Sequence, residues 1–487
     1  MTPDIFRILP EVVLTLTGVL VMLMDASMSV RSSRRPLGWL AALGVTTALG
    51  ASLWQYTLPA GTAFFGTVQT DAFSNFFHVL ICGIVLVAIL LSIDTLPADQ
   101  HHVGEYFALM VFGAVGMCLL TSAVELLVVF IALEISSIAT YVLAGYRKNT
   151  GKGPESAIKY FLLGSFATAF LLYGIAMVFG ATGTTQVQEI ATLLPAARSH
   201  VLVLAAFALM MVGVLFKVSA APFHVWTPDV YEGAPTPVVA LMSTAPKVAA
   251  FALIIRLLYG VFPLLHPLWM PLMWVVAVIS MTVGNLAALR QQNVKRMLAY
   301  SSIAHAGYLL AALAGTGSEP VAAIGFYTAA YAAMNVGIFA LMTMVSGYDE
   351  QRSTIADYRG VLYQSPLSGG LMLLFLISLI GIPFTGGFFA KFYSFTTAMQ
   401  GGAAWLVLIG LVNSGIASAY YLRFAVSLAQ SPSSRNGASG LKIAAPWTMA
   451  TSAAVLAAGV FTLLLGIAPG WVLNAATAAA HSFSQLP

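Results

Sequence analysis

The chain has 487 residues, of which 59% are hydrophobic and 8% are charged. Soluble domains carry about 25% charged residues, so a water-solvated globular surface is excluded and the composition is that of a polytopic membrane protein. The formal net charge of +4 arises from 21 Lys and Arg against 17 Asp and Glu, with no basic face of the kind a nucleic-acid partner requires.

Apolar runs near the ~20 residues that cross a bilayer number fourteen. The first six cover 8–28, 37–58, 73–93, 105–122, 124–146 and 155–180. The N-terminal MTPDIFRILPEVVLTLTGVL lacks a basic leader and a small-residue cleavage site, and reads as a retained first span. Only TSAVE separates spans four and five. Cys82 and Cys118 lie in apolar runs without metal-ligand or redox spacing, which points to packing. A seventh span covers 200–219 with an irregular continuation to 233, followed by 236–262, 268–290, 295–314 and 320–346. The last three are 366–400, long and interrupted, then 404–429 and 446–468.

With fourteen spans both termini share one side. Loops after odd-numbered spans then hold Arg31, Arg34, Arg35, Arg147, Lys148, Lys152, Arg290, Lys295, Arg296, Arg352, Arg359, Arg435 and Lys442, whereas the terminal side holds Arg7 and Arg198. Positive residues mark the cytoplasmic side, so both termini are expected outside. An internal repeat supports the count. Ile135-Ser136-Ser137-Ile138-Ala139-Thr140 echoes Tyr300-Ser301-Ser302-Ile303-Ala304-His305, and Pro222-Phe223 echoes Pro383-Phe384, each five spans later. An odd separation gives the two units opposite topology, as in transporters with interrupted helices.

Ionisable residues at membrane depth are expensive and usually functional. Glu134 falls near the middle of span five, and Lys247 near the middle of span eight just after Pro246, which removes an amide donor and kinks a helix. For these two the competing reading is a structural ion pair. Lys217 ends the run VLVLAAFALMMVGVLFK, and Lys391 follows ISLIGIPFTGGFFAK, where Pro383, Gly386 and Gly387 interrupt the span. For these two the competing reading is snorkelling to the interface. Lys159, Arg256 and Arg423 lie nearer span ends and read as interface anchors; Glu125 and Asp25 read as solvated. A buried lysine loses proton affinity that a nearby carboxylate restores, so a Lys with a movable Glu partner is a switchable proton site. Glu134 is the natural partner for Lys217 in that scheme. His224, in the break, and His305, in span ten, have the chemistry of proton relays, against the alternative of structural hydrogen-bonded histidines. His78, His101, His102, His200, His266 and His481 fall near span ends or loops and carry no assignment. No Cys cluster, nucleotide loop or metal-ligand spacing is present, so if the chain belongs to a redox or ATP-driven machine, another subunit must supply the driving chemistry.

The segments LEISSIATYVLAGY, ESAIKYFLLGSFATAFLLYG, LFKVSAAPFHVWTPDVYEGAPTPVVALMSTAPKVAAF, NVKRMLAYSSIAHAGYLL and GIPFTGGFFAKFY closely resemble, in that order, the antiporter-like membrane subunits of respiratory complex I. Within that family the resemblance is to subunit N of the bacterial NADH–quinone oxidoreductase, over nearly the whole chain. It implies an all-α membrane protein of about fourteen helices, with two inverted five-helix units and broken helices seven and twelve. The implied divisions are 1–103 (three N-terminal helices), 104–262 (helices four to eight), 263–430 (helices nine to thirteen) and 431–487 (a loop and helix fourteen). It further implies a proton-translocating subunit of a bacterial cytoplasmic-membrane oxidoreductase, with no cofactor or metal of its own, partnered by neighbouring antiporter-like subunits. Carried over by motif, Glu134 and Lys217 form the coupling pair, Lys247 is the central relay, Lys391 is the lysine of the second unit, and His305 is a relay position. Lys159 also matches and would tune proton intake; His224 matches without a defined role. The alternatives are a cation/proton antiporter subunit and a scaffold whose buried charges only fix helix packing.

Overall fold

A computed structural model describes residues 4–29, 32–96, 103–197, 199–347, 350, 352–431 and 447–484. Among them, thirteen helical segments are long and apolar enough to cross a membrane. The first seven are α1 (Leu9–Ser27), α2 (Arg35–Gln55), α3 (Ala72–Thr95), α4 (Val103–Ser122), α5 (Leu126–Ala144), α6 (Lys152–Thr182) and α7 (His200–Lys217). After a break comes the short α8 (Thr227–Gly233), then an eighth span composed of α9 (Thr236–Met242), α10 (Ala245–Ile255) and a π turn at Arg256–Val261. There follow α11 (His266–Leu289), α12 (Val294–Ala311) and α13 (Glu319–Ser346). The twelfth crossing is made by two half-helices, α14 (Pro366–Ile380) and α15 (Gly386–Gln400). α16 (Ala404–Ala429) and α17 (Met449–Ile467) complete fourteen crossings, and each predicted span finds its helix within a few residues. A further helix, α18 (Gly470–Ser484), packs against α3 and α13 and was not expected from the sequence.

Lipid replaces water around these helices, so apolar side chains face outward at no cost. Leu23, Leu43, Phe166, Val201 and Val412 are all exposed. The helices that never reach this surface are the informative ones: the eighth span and α13 are buried along their full apolar length, and α12 nearly so.

Two faces are distinguishable by what their loops contact. Arg147 and Lys295 each approach Glu350 at 2.7 Å, and Lys152 meets Glu232 at 2.5 Å, which ties together the connections after spans five, seven, nine and eleven. Arg34 pairs with Asp25 at 2.8 Å, and the Thr448 hydroxyl with Asp94, near that same end of the bundle. At the other end a hairpin, β1 (Gly61–Ala63) with β2 (Val68–Thr70), bridges to Ala123, and Glu125 bridges to Gln186. The grouping follows the odd-and-even division of loops that fourteen spans require. Four cations of that charge partition, Arg31, Arg198, Arg435 and Lys442, lie outside the described residues, as do His101 and His102.

Candidate functional site: a buried lysine and tyrosine spine

The two breaks satisfy their backbones by different means. At the end of α7, Ser219 adopts φ +61°, Ala220 N donates to Leu215 O, and Ala221 N donates to Ser280 Oγ of α11 at 2.9 Å. Non-helical backbone survives at this depth because protein covers it. In the twelfth crossing, Gly381 caps α14 at φ +91°, and Gly387 N donates to Ser378 Oγ at 3.1 Å. A side chain at Gly381 is strained by that φ, and its Cβ would also meet Lys391 Cδ at 3.1 Å. A third interruption falls within the eighth span, at Ser243-Thr244, one turn before Lys247.

Lys217 is 5% exposed and its ammonium has no hydrogen-bond partner. It lies over the rings of Tyr141 (5.5 Å) and Tyr160 (5.7 Å), a cation–π cradle. Glu134, on α5, has one buried carboxylate oxygen without a partner. The two share one electrostatic neighbourhood without forming a salt bridge. Beyond Tyr160, the Trp226 ring stacks at 4.4 Å, and Tyr231 follows at 6.4 Å.

Lys247 donates to Ser302 O at 3.0 Å and to Ser302 Oγ. Tyr331 OH donates to that same Oγ at 2.8 Å, and Tyr231 OH lies 3.4 Å away. With two donors already directed at it, the Ser302 hydroxyl has its own hydrogen free for Tyr231. One turn on, His305 engages Tyr327 OH through Nδ1 (2.9 Å) and Tyr421 OH through Nε2 (3.3 Å), and Tyr421 OH bonds Ser301 Oγ. Tyr308 lies 5.7 Å from the His305 ring, and the Lys391 ammonium sits 5.0 Å from the Tyr308 ring. Lys391 donates to Ile380 O (2.7 Å), Leu379 O (3.3 Å) and Ser414 Oγ (2.8 Å). These carbonyls end a half-helix, where the macrodipole favours a cation.

The structure thus joins Lys247, His305 and Lys391 through hydroxyl and ring contacts, and places Glu134 and Lys217 at one end of the series. It does not bring Lys159 or His224 into it. Lys159 pairs with Asp229 and Glu155, each at 2.7 Å, and Asp229 with Arg296 at 2.7 Å, in a network that Arg296 extends to Glu232 at 2.9 Å. His224 sits half-buried in the first break with Nδ1 unpartnered. Three other expectations are corrected. Glu125 is buried as the N-cap of α5, accepting from Leu127 N and Val128 N, because an orphaned helix end needs an acceptor. Asp25 is held by Arg34 rather than by water. Arg256 is 2% exposed, donates to Thr121 O at 2.8 Å and lies under Phe73, so it is an interior residue and not an interface anchor.

Sequence reasoning missed the tyrosines. Tyr327, Tyr331 and Asn335 recur at i, i+4 and i+8 on fully buried α13, and Asn335 Nδ2 donates to Ser243 Oγ at 2.6 Å. That polar stripe along an apolar helix was the available signal.

The family described as "NADH:quinone oxidoreductase/Mrp antiporter, TM" matches residues 123–417. NADH-quinone oxidoreductase subunit N 2 of Koribacter versatilis is 49% identical over 99% of this chain and 97% of its own length. The chain belongs to the NADH-quinone oxidoreductase subunit N family. A second member, subunit N 1 of Solibacter usitatus, is 44% identical over 98% of this chain and 97% of its own length. Among solved structures, a chain of respiratory complex I from Thermus thermophilus superposes with TM-score 0.82 at 35% identity, covering 96% of this chain and 99% of that one. A chain of the Mrp complex from Dietzia sp. gives TM-score 0.86 at 20% identity over 100% of this chain and 98% of that one, a likeness of fold alone.

Proposed function

We propose that this subunit N family member translocates protons within an NADH–quinone oxidoreductase, with electron transfer to quinone carried out by other subunits. The observation that carries the reading is the buried series from Lys217 through Lys247 and His305 to Lys391, in which proton-bearing groups follow one another through the membrane interior. A scaffold would need its charges paired, because an unpaired buried charge is costly. Lys217 and Glu134 instead stand apart with unpartnered atoms, an arrangement in which a small movement changes the proton affinity of both. Energy from the redox subunits would alter that pairing, after which a proton passes from Lys217 to Lys247 and on to Lys391. Moving one charge against 100 mV requires ~2.3 kcal/mol, and each unit of pKa change supplies ~1.4 kcal/mol, so a swing of about two units drives one proton.

The deciding measurement is protons translocated per electron in membranes carrying Lys217→Ala or Glu134→Ala, normalised to assembled complex. Loss of translocation is expected; wild-type stoichiometry in both variants would refute the mechanism. A chain that purifies and functions without redox subunits would point to a cation/proton antiporter instead. We further propose that the termini and the β1–β2 hairpin face the periplasm and the Glu350 cluster faces the cytoplasm. Thr57→Cys should react with an impermeant maleimide from outside intact cells and Lys148→Cys should not; Cys82 and Cys118 are buried and contribute no background.

A further inference from the structure

Outside the spine, the three N-terminal helices hold an acid–imidazole pair. α1 places Glu11, 5% exposed, with Oε1 3.5 Å from Nε2 of His78 on α3, itself 1% exposed. Both Glu11 carboxyl oxygens and His78 Nδ1 are buried without hydrogen-bond partners. His78 Nε2 lies 3.0 Å from Cys118 O. A carbonyl only accepts, so Nε2 bears the hydrogen. An ionised carboxylate buried with no donor is strongly disfavoured, so Glu11 is at rest either a neutral acid or the partner of an imidazolium.

Two backbone carbonyls separate the pair from a cavity. Thr121 Oγ1 donates to Cys118 O at 2.8 Å, and Arg256 Nε donates to Thr121 O at 2.8 Å. Arg256 lines a cavity of about 420 Å³ together with Gln69, Tyr259, Ser318 and Phe483. Arg256 Nη2, Tyr259 OH and Gln69 Oε1 are buried polar atoms of that lining without hydrogen-bond partners in the chain. Such a polar, roomy site suits water. Arg256 opens the π turn at the end of the eighth span, nine residues and ~13 Å of helix beyond Lys247. Such turns occur frequently at functional sites. Glu11 in the first turn of α1, His78 in the second turn of α3 and Arg256 therefore all lie toward the face that carries the β1–β2 hairpin.

We propose that Glu11 and His78 are a proton-carrying pair that exchanges protons between the lysine spine and the Arg256-lined cavity, making that cavity the port on the terminal face. The inference rests on the proton-translocating reading above. In the release step the Glu11 O–H bond breaks and a water entering from the cavity takes the proton as hydronium, leaving a carboxylate 3.5 Å from His78 Nε2. Uptake reverses these bonds. The groups facing the pair are Arg256 from the eighth span, Asp71 at the start of α3 (3.9 Å from Arg256 Nη2), the thiols of Cys82 and Cys118, and the Ser122 hydroxyl.

The test uses the assembled complex in its membrane. Glu11→Gln keeps the shape and removes the acid; it is expected to lose proton translocation per NADH oxidised, and a protonated-carboxyl band in redox-difference infrared spectra, while Glu11→Asp retains both. Wild-type translocation, pH profile and infrared spectrum in Glu11→Gln would overturn the proposal. If Glu11→Gln fails to assemble, His78→Gln decides by the same measurements: a changed pH profile supports the pair and an unchanged one rejects it. Lys217→Ala is run in parallel. A defect there with Glu11→Gln silent removes only the pair, whereas silence in both removes the proton-translocating reading itself.

Discussion

The two broken crossings hold a lysine each and treat it in opposite ways. At the first break, Lys217 is the last residue of its half-helix, yet its ammonium turns from the terminal carbonyls to the faces of Tyr141 and Tyr160. At the second, Lys391 reaches back across the break and is saturated by Ile380 O, Leu379 O and Ser414 Oγ. Ring faces hold a cation without fixed hydrogen-bond geometry, at about 2 kcal/mol when it is desolvated. Convergent carbonyls and a hydroxyl fix both position and charge. In the proposed translocation the first lysine serves as the adjustable site, set by where Glu134 stands, and the second as a fixed receptor.

The largest expected effect breaks this contrast directly. Lys217→Arg keeps the positive charge but cannot release a proton at accessible pH, so proton translocation per electron should vanish while quinone-reductase complex still assembles. Next is the cluster on the opposite side of the breaks. Burial raises the Glu350 carboxyl, but Lys295 and Arg147 outweigh it and hold it below the ordinary 4.5. A depressed carboxyl stabilises the fold fully above pH 4.5 and loses that contribution as pH falls through its lowered value. Glu350→Gln should cost about 3–5 kcal/mol by removing the buried carboxylate that Lys295 and Arg147 share, and should remove that acid sensitivity, both read from thermal unfolding against pH. The backbones of the two breaks give the smaller effects. Gly381→Ala, at φ +91° and against Lys391, should cost about 1–3 kcal/mol and disturb the fixed receptor. Ser219→Gly relieves φ +61° and removes a buried hydroxyl without a partner, so a gain of about 1 kcal/mol is expected, seen as a higher unfolding temperature.

Much of the fold was legible because a bilayer demands apolar runs of nearly fixed length, and Pro222 and Pro383 marked where two of them break. The charged spine members were legible for the same reason, since Lys247 and Glu134 lie too far from any span end to read as anchors. What escaped were groups whose meaning depends on a neighbour rather than on depth. Glu11 follows Pro10 in the first turn of α1 and looks like an ordinary acidic helix start. Arg256 and His78 lie near span ends, where linear position does not distinguish solvent from a cavity within the bundle. Tyr331 and Tyr327 read as aromatic packing until α12 and α13 are laid together and Ser302 and His305 meet their hydroxyls. α18 was missed because its alanine-rich stretch is shorter than a span and adheres to α3 and α13 instead of crossing.

The full enclosure of the eighth span and α13 has a consequence for how the chain responds to its surroundings. Mobile ions screen charges over about 8 Å in physiological salt, but they act only where water reaches, and these helices hold Lys247 and its tyrosine partners behind a complete wall of protein. In the proposed relay, a proton arriving at one lysine is therefore felt by the next through a medium that salt does not dilute. Added KCl should weaken the Lys152–Glu232 and Lys159–Asp229 contacts at the rim and leave protons moved per electron unchanged.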